Sequence, residues 1–355
     1  MKPGVTVVIC TFNGAALLPE TIRHITQQRV ESNIPWEVIV IDNASTDDTS
    51  QIARQEWHKY RNTVPFSVLY QPRQGLTFAR EMAIEEANYE YVLFCDDDNW
   101  LNTEYVDTAY HLMLQHPNIG VLGGHGELVY EVPPPSWAQT LPMFGNGPQE
   151  TRSGKVKRNI VYGAGSILRR SAFLRLFKAG YKPFLTDRNA NSLSSGGDSE
   201  LCYAIALANF DIWYDDRLRF KHFMPKARIT WSYYTRFFKE RAQCFDVLIP
   251  YSILINFGSR NTLSFSLRLM RLFLFTLRQI MPLYLNLLLL RKGSEADKVN
   301  RLKLMASEAR LLSYRRCFNM LRNFLEILRF QQKELPAQTE RSPQHQKKKL
   351  KLGVS

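Results

Sequence analysis

Cysteine is scarce in this chain, and the few cysteines present are not paired along the sequence. The 355 residues include five cysteines, with no CxxC pair and no Cys/His spacing typical of a metal site. Disulfide-rich secreted scaffolds and zinc modules depend on such pairs, so the sequence argues against both classes. Isolated cysteines in apolar stretches act as small hydrophobic residues and indicate a reducing compartment. The five cysteines of the chain are Cys10, Cys95, Cys202, Cys244 and Cys317.

Several targeting and binding patterns are also missing. The first apolar run ends before Thr11, which is too short for a signal peptide and favours the cytoplasm. No GxGxxG follows a predicted strand, which argues against a dehydrogenase. No base-stacking or groove-reading module is visible, so we do not expect a nucleic-acid partner. The apolar segment 263–290 is interrupted by arginines, and its longest uncharged run (279–290) is shorter than the roughly 20 residues that cross a bilayer.

Acidic residues are few in the last third of the chain. Residues 1–222 contain 21 Lys and Arg against 25 Asp and Glu, whereas residues 223–355 contain 25 against 8, and the whole chain carries +13. A concentrated positive charge predicts a polyanionic partner. With nucleic acid disfavoured, the surface of an anionic membrane is the better match.

The first hundred residues alternate strand and helix patterns. Continuous apolar runs predict buried strands, helical periodicity follows each of the first three, and this order is typical of a parallel sheet covered on both faces. The pattern is looser from 101 to 222, where only one further strand, at 119–122, and a strand-turn at 160–170 are predicted. The four early strands are predicted at 5–10, 36–42, 66–71 and 91–95.

Three consecutive carboxylates, Asp96 to Asp98, follow the fourth predicted strand, and Asp42 ends the second. Ligands of open α/β sheets bind in the crevice beyond the carboxyl ends of the strands, so these acids are expected to lie close together. Carboxylates in such a crevice can bind Mg²⁺ or Mn²⁺ together with phosphate oxygens. The alternative is an acidic turn that caps the helix near residue 103.

Four ordered motifs resemble the family-2 glycosyltransferases of the GT-A fold. They are VTVVICTFNGAALLPETI, VIVIDNASTDDTS, QGLTFAR and YVLFCDDDNW, and the resemblance extends over about residues 4–240. It implies an α/β, Rossmann-like and mostly parallel sheet flanked by helices. It also implies a nucleotide-diphospho-sugar donor (a UDP-sugar by default), a divalent Mg²⁺ or Mn²⁺ ion, and inversion at the anomeric carbon.

The resemblance assigns most of the donor site to the ends of the early strands. Asp42 would meet the nucleobase or ribose, Asp96 the ribose or metal, and Asp98 would be the metal ligand. Gly124 and Gly163 would lie beneath the donor sugar, although tight turns explain such glycines equally well. The residues expected to bind the nucleotide-sugar are Thr11, Phe12, Asn13, Asp42, Asn43, Gly75, Arg80, Asp96, Asp97, Gly124 and Gly163.

Two later residues complete the expected site. Asp198 follows Gly196 and Gly197 at a predicted helix start, and the resemblance implies that it is the catalytic base. The family commonly has a second acid where this chain has Gly197, and the alternative reading of Asp198 is a helix cap. His222 would be a further metal ligand just after the last strand, with a structural histidine as the alternative.

The sequence therefore predicts three regions. Residues 1–240 form the catalytic domain, 241–330 a helical, basic, amphipathic extension, and 331–355 a disordered polar tail. The segment 263–290 is predicted to lie in a membrane interface, and the alternative is a helical hairpin packed on the catalytic domain or on a second subunit.

The expected function is sugar transfer to a lipid-linked or polysaccharide acceptor at the cytoplasmic face of the cell membrane. Two rivals remain. A sugar-nucleotide-binding protein without transferase activity would not need the acid at 198. A nucleotidyltransferase would usually carry a basic, glycine-rich loop after the first strand, where this chain reads CTFNGAALL.

Overall fold

The computed structural model describes residues 1–139, 144–187, 193 and 195–334. Within these residues nine strands form one mixed sheet, in the order β3-β2-β1-β4-β8-β6-β9-β5, with β7 paired to β9. The pairs among β1, β2, β3 and β4 are parallel, as is β6 with β9, and the remaining pairs are antiparallel. The strands are β1 (Lys2–Thr11), β2 (Trp36–Asp42), β3 (Phe66–Tyr70), β4 (Tyr89–Asp96), β5 (Asn99–Leu101), β6 (Ile119–Tyr130), β7 (Gly154–Lys155), β8 (Ile167–Arg169) and β9 (Asp211–Met224).

Helices cover both faces of this sheet and continue beyond it. In the described residues they are α1 (Leu18–Thr26), α2 (Thr49–Lys59), α3 (Leu76–Glu86), α4 (Tyr105–Gln115), α5 (Ser136–Gln139), α6 (Arg170–Lys178), α7 (Gly197–Leu207), α8 (Trp231–Arg241), α9 (Phe245–Asn256), α10 (Thr262–Leu289), α11 (Glu295–Ser313) and α12 (Cys317–Glu334). The mostly parallel, helix-flanked sheet and the helical C-terminal region confirm the predicted fold class.

The continuous apolar runs of the first strands are explained by two hydrophobic clusters, one on each face of the sheet. Side chains alternate along a strand, so Val7 and Ile9 of β1 point into one cluster while Val8 points into the other. Helices α1, α2 and α4 cover the first face, and α3, α6, α7, α9 and α12 contribute to the second. The early strands therefore end together at one edge, where their polar residues meet.

Several strands differ from the sequence prediction. β6 is longer than predicted, and the prediction lacks the short strands β5 and β7 and the fourteen-residue β9. Its sequence, DIWYDDRLRFKHFM, has charged residues in its middle and an alternating burial pattern, which hides it from a search for apolar runs. His222 consequently lies within β9 rather than after the last strand.

The helices after residue 240 are buried to different extents. α9 and α12 bury Tyr251 and Phe324 in the cluster that also covers one face of the sheet. Phe265, Thr276 and Ile280 are the buried residues of α10. α10 is the one described helix whose length and composition alone would allow it to cross a membrane.

The C-terminal boundary also differs from the prediction. The part of the predicted extension that follows α10 forms two helices, α11 and α12, joined by a 3-10 turn at Tyr314–Arg316. The last residues of α12 extend into the predicted tail. The rest of that tail lies outside the described residues.

Candidate active site

A cavity of about 410 Å³ lies at the carboxyl ends of β1, β2 and β4. α3, α7 and the segment after β9 complete its wall, so chain regions far apart in sequence meet here. Most of the residues expected from the sequence line it, namely Thr11, Phe12, Asn43, Gly75, Arg80, Asp96, Asp97, Asp98, Gly163, Asp198 and His222. Their proposed contacts with a donor stay predictions.

Three expected residues are not among those that line the cavity. The Asp42 carboxylate accepts hydrogen bonds from the Ser45 backbone N–H at 2.9 Å and from the Ser50 hydroxyl, so it fixes the turn after β2. Gly124 is closely packed, because a Cβ there would lie 2.3 Å from the Tyr105 hydroxyl oxygen. These contacts are internal to the protein.

Two asparagines organise the rim of the cavity. Asn13, the third expected residue outside the lining, accepts a hydrogen bond from the Thr46 N–H at 2.8 Å. Asn43 accepts from the Gly75 N–H at 2.8 Å and donates to the Arg73 carbonyl at 2.7 Å. Asn43 therefore holds the loop that leads into α3, where Gly75 has a φ of +136° that favours glycine.

Asp98 is the most strongly paired of the three carboxylates. Its Oδ1 lies 3.4 Å from His222 Nε2, and its Oδ2 pairs with Arg228 Nη1 at 2.5 Å. Burial opposes its charge, but the His222 and Arg228 charges prevail and hold the pKa of Asp98 well below its usual range. Asp98 is therefore charged at neutral pH, and β5 and β9 bring it to His222 by pairing Asn99 with that residue.

Asp97 has a different environment. The Thr11 hydroxyl donates to its Oδ2 at 2.6 Å, and the Thr21 hydroxyl donates to its backbone carbonyl at 2.7 Å. Burial, and next the charge of Asp98, raise the pKa of Asp97 to about 7. Burial and Asp98 also raise the pKa of Asp96. Cationic and hydroxyl groups of the protein therefore hold the acidic turn, and the remaining repulsion among its carboxylates favours protonation of Asp96 and Asp97.

The residues at this end of the cavity fit a divalent cation. His222 Nδ1 is buried and has no hydrogen-bond partner in the described part of the chain. The carboxylates of Asp96 and Asp98 line the same cavity, and carboxylate with imidazole is a donor set that suits Mn²⁺ or Mg²⁺. Within the described residues, a group of three metal-type donor atoms close to one another occurs only at the surface, at Glu31, Asp107 and His111. An ion in the cavity would thus need substrate oxygens or water to complete its coordination, as Mg²⁺ usually does.

Asp198 lies across the cavity, in the first turn of α7. Its Oδ2 accepts a hydrogen bond from the Gly163 N–H at 3.0 Å, and its Oδ1 forms an ion pair with Arg80 Nη1. The N-cap of α7 is Gly196, and no side chain caps that helix. The carboxylate of Asp198 therefore faces the cavity wall rather than capping its own helix. A Cβ on Gly163 would lie 2.3 Å from Asp198 Oδ1, so glycine at 163 makes room for this carboxylate.

The sequence analysis does not identify Asp187 and Tyr233, which both belong to the cavity wall. Asp187 lies in a polar loop with no recognisable motif, and only the fold brings it to Arg80. Tyr233 belongs to α8, where its neighbour Tyr234 is buried and packs on Trp137. The basic residues after β9 also differ from one another, because Arg228 pairs with Asp98 whereas Lys226 is exposed near Glu131.

The N-terminal part of the chain is similar in sequence to known glycosyltransferases. The family model described as glycosyl transferase family 2 matches residues 6–177. A cholesterol galactosyltransferase of Borreliella burgdorferi is 32% identical over 110 residues, which are 31% of this chain and 29% of that protein. The poly(ribitol-phosphate) beta-N-acetylglucosaminyltransferase TarS of Staphylococcus aureus is 28% identical over 212 residues, 56% of this chain and 35% of TarS. The chain thus spans about a third of the length of these curated relatives.

Two solved structures have a similar fold. S. aureus TarS 1-349 in complex with UDP-GlcNAc superposes with a TM-score of 0.50 at 19% identity, covering 93% of this chain and 91% of that one. The mannosyltransferase PcManGT of Pyrobaculum calidifontis, in complex with GDP-Man and Mn²⁺, gives 0.51 at 17% identity, covering 92% and 88%. The family model therefore identifies residues 6–177 as similar to glycosyl transferase family 2, and the two structures show that the chain has the GT-A fold.

Proposed function

We propose that this protein transfers a sugar, with inversion, from a nucleotide-diphospho-sugar to a hydroxyl group of a lipid-linked or polysaccharide acceptor in cell-surface glycan synthesis. One observation carries the proposal. A single cavity holds the paired residues Asp98, His222 and Arg228 on one side and the Asp198 carboxylate on the other. A UDP-sugar is the proposed donor, with support from the family and from the TarS complex with UDP-GlcNAc.

The cluster around Asp98 is suited to the diphosphate. Asp98 and His222 would hold Mg²⁺ or Mn²⁺, which when bound supplies positive charge to the leaving diphosphate. Arg228 lines the cavity and is the counter-ion of Asp98 in this structure. With Asp98 engaged in holding the cation, the Arg228 guanidinium would be available to the diphosphate oxygens. A fixed positive charge there would stabilise the negative charge that develops on the leaving group.

The other side of the cavity is suited to the acceptor. Asp198 would accept the proton of the acceptor hydroxyl as that oxygen attacks the anomeric carbon. Attack from the face opposite the diphosphate breaks the bond to the leaving oxygen and inverts the configuration. Gly163 and Arg80 orient the carboxylate by holding one oxygen each. A protein that only binds sugar nucleotides has no use for a base so placed, so Asp198 favours the transferase.

Ligand-dependent thermal stability tests donor recognition. We expect one nucleotide-sugar from a panel of UDP-, GDP- and dTDP-sugars to raise the unfolding temperature in the presence of Mn²⁺ or Mg²⁺. The shift should be lost with EDTA, because the diphosphate binds through the cation. Free sugars and nucleoside monophosphates are the controls. Equal stabilisation with and without EDTA would contradict the metal-dependent mode of binding.

α10 supports a site of action at an anionic membrane surface. An apolar stripe runs along the helix at three- and four-residue spacing, interrupted once at Arg278, and each of its apolar side chains is more than half exposed in the described structure. Arg271 is exposed beside the stripe, and Arg278 is exposed within it. Apolar insertion and attraction of arginines to anionic headgroups both favour a helix lying in the interface. The stripe consists of Leu263, Leu267, Met270, Leu274, Met281, Leu285 and Leu288.

Flotation with liposomes tests this membrane contact. The full chain is expected to float with anionic but not with neutral vesicles, because each basic residue near the surface contributes about 1 kcal/mol. The Leu274→Glu/Leu285→Glu double variant should stay unbound. The matched control is Leu312→Glu, which changes an exposed leucine of α11 and should float like the wild type.

Other outcomes of the flotation experiment have clear meanings. Wild-type protein that binds neither kind of vesicle would contradict the membrane proposal and would favour a second copy of the chain as the partner of the stripe. Binding that resists high salt and yields only to strong detergent would show that α10 spans the bilayer. The prediction that it lies along the surface would then be wrong.

A further inference from the structure

Asp187 occupies the space in front of Gly197. A Cβ on Gly197 would lie 2.6 Å from Asp187 Oδ2 and 2.9 Å from its Cγ, so a side chain at 197 and the Asp187 carboxylate exclude each other. The sequence has no acid directly before Asp198, at the position where the resemblance leads one to expect it. The fold instead brings a carboxylate to that place from ten residues earlier in the chain.

Arg80 joins this carboxylate to the proposed base. Its Nη1 lies 3.5 Å from Asp187 Oδ2 and pairs with Asp198 Oδ1. Arg80 and Asp187 are both buried, with relative exposures of 9% and 5%. Burial opposes the charge of Arg80, but the carboxylates of Asp198 and next of Asp187 keep its pKa raised. Two carboxylates therefore share one buried guanidinium.

The segment that carries Asp187 is fixed from two helices. Glu200 of α7 accepts hydrogen bonds from the backbone N–H of Phe184 at 2.8 Å and of Leu185 at 2.9 Å. The Thr77 hydroxyl of α3 donates to the Leu185 carbonyl at 3.2 Å. Asp187 has a φ of +59°, a left-handed conformation that Asp, Asn and Gly adopt most readily. Its position next to Arg80 is thus defined by the surrounding structure.

We propose that Asp187 is a positioning residue of the base, and that it keeps the Arg80 charge neutralised when Asp198 takes the proton of the acceptor. This inference rests on the proposed function. Before the transfer the charges of Asp187, Arg80 and Asp198 sum to −1. After Asp198 has taken up the proton they sum to zero. Without Asp187 they would start neutral and end with an unpaired buried cation, which is unfavourable. Asp187 thereby makes Asp198 a stronger base.

Other titratable groups of the described chain also face Arg80, Asp187 and Asp198, and none of these described groups duplicates Asp187. Burial raises the pKa of the Cys10 and Cys202 thiols to about 12 and that of Cys244 to about 11, so the thiols are neutral. Glu200 is committed to two backbone N–H groups, and burial raises its pKa to about 7. Asp96 belongs to the acidic turn on the opposite side. The surrounding titratable groups are Cys10, Cys202, Cys244, Asp96 and Glu200.

The first test is Asp187→Asn in the full-length protein, with the donor found by thermal stabilisation. Asparagine keeps the size and the backbone conformation but removes the charge. We expect kcat to fall about tenfold with an unchanged KM for the donor, because a nearby negative charge that strengthens the base is lost. The acidic limb of kcat/KM should move to lower pH by about one unit, because the base is weaker without the neighbouring negative charge. The control Asp216→Asn changes an exposed carboxylate outside the cavity wall and should leave both quantities unchanged.

The second test moves the carboxylate from position 187 to position 197. Gly197→Glu alone should lose activity, because the new side chain collides with Asp187. In the Asp187→Gly/Gly197→Glu double variant the space is free, glycine tolerates the left-handed backbone, and glutamate is favourable in the first turn of a helix. We expect kcat and the acidic limb to return to within about threefold and a few tenths of a pH unit of the wild type.

The remaining outcomes separate this inference from the proposed function. If Asp187→Asn keeps the wild-type kcat and pH profile, the inference is overturned while the proposed transferase activity stands. The same holds if kcat falls without a shift of the acidic limb and the Asp187→Gly/Gly197→Glu variant does not restore it. If the wild type transfers no sugar, the proposed function fails, and unfolding measurements still test the pairing. Asp187→Asn should lower the free energy of unfolding of the wild type but not that of the Arg80→Met variant. An equal loss in both backgrounds would overturn the inferred pairing of Asp187 with Arg80.

Discussion

Replacing Asp198 by asparagine is expected to lower kcat by about 100-fold or more while donor affinity stays nearly constant. Asparagine has the shape of aspartate, and its carbonyl oxygen can still accept the Gly163 N–H. It cannot take up a proton, so the acceptor hydroxyl is no longer activated. Arg80 keeps Asp187 as a counter-ion, which should preserve the fold of the site. Turnover is measured in steady state, and donor affinity by calorimetry.

The comparison of these two quantities decides the role of Asp198. Asp216→Asn is again the control for a lost exposed carboxylate. If Asp198→Asn weakens donor binding as strongly as it slows turnover, the residue binds the nucleotide-sugar and is not the base.

Replacing Asp98 by alanine is expected to reduce transfer by about 100- to 1000-fold or more and to remove the metal-dependent stabilisation by the donor. Asp98 is the carboxylate that His222 and Arg228 keep charged, so its loss removes the best anionic ligand of the cavity. Asp98→Asn is the matched variant, because it keeps the side-chain volume and lacks only the charge. Both variants should lose the Mn²⁺-dependent shift in unfolding temperature.

Circular dichroism of the Asp98 variants checks that the fold persists. Wild-type turnover that survives EDTA, or near-normal turnover of Asp98→Ala, would show that the cavity works without a cation at this position.

The strand ends at the centre of the site could be predicted because their evidence is local. β1, β2 and β4 each contain a largely apolar run, since both faces of the sheet are buried, and the last residue of each strand is polar. Parallel neighbours place these polar residues together without further information. The predicted fold class and family follow from the same stretches of sequence.

The second half of the site could not be predicted in this way. β9 alternates in burial and carries Asp215, Asp216 and Arg217 in its middle, so it lacks the continuous apolar run that identifies the early strands. Its pairing with β5 brings His222 to Asp98, and this contact exists only in three dimensions. Asp187 is the strongest case, because a loop residue without a motif reaches Arg80 through the packing of α3 and α7.

The C-terminal helices show a further limit of sequence patterns. Apolar residues with helical spacing are compatible with burial in the protein and with contact with lipid. α9 and α12 use them in the cluster that covers the sheet, whereas α10 leaves a stripe exposed in the described structure. Composition could not separate these environments, since the three helices are all rich in apolar residues.

The identity of the nucleotide that the reaction releases tests the central proposal most directly. The wild type is incubated with the nucleotide-sugar selected by thermal stabilisation, with Mn²⁺ and a membrane extract as acceptor, and the nucleotides are separated by chromatography. Sugar transfer predicts release of the nucleoside diphosphate, dependent on Mn²⁺ and reduced about 100-fold in Asp198→Asn. Release of a nucleoside triphosphate upon addition of pyrophosphate, or an intact nucleotide-sugar despite tight binding, would contradict the assignment as a glycosyltransferase.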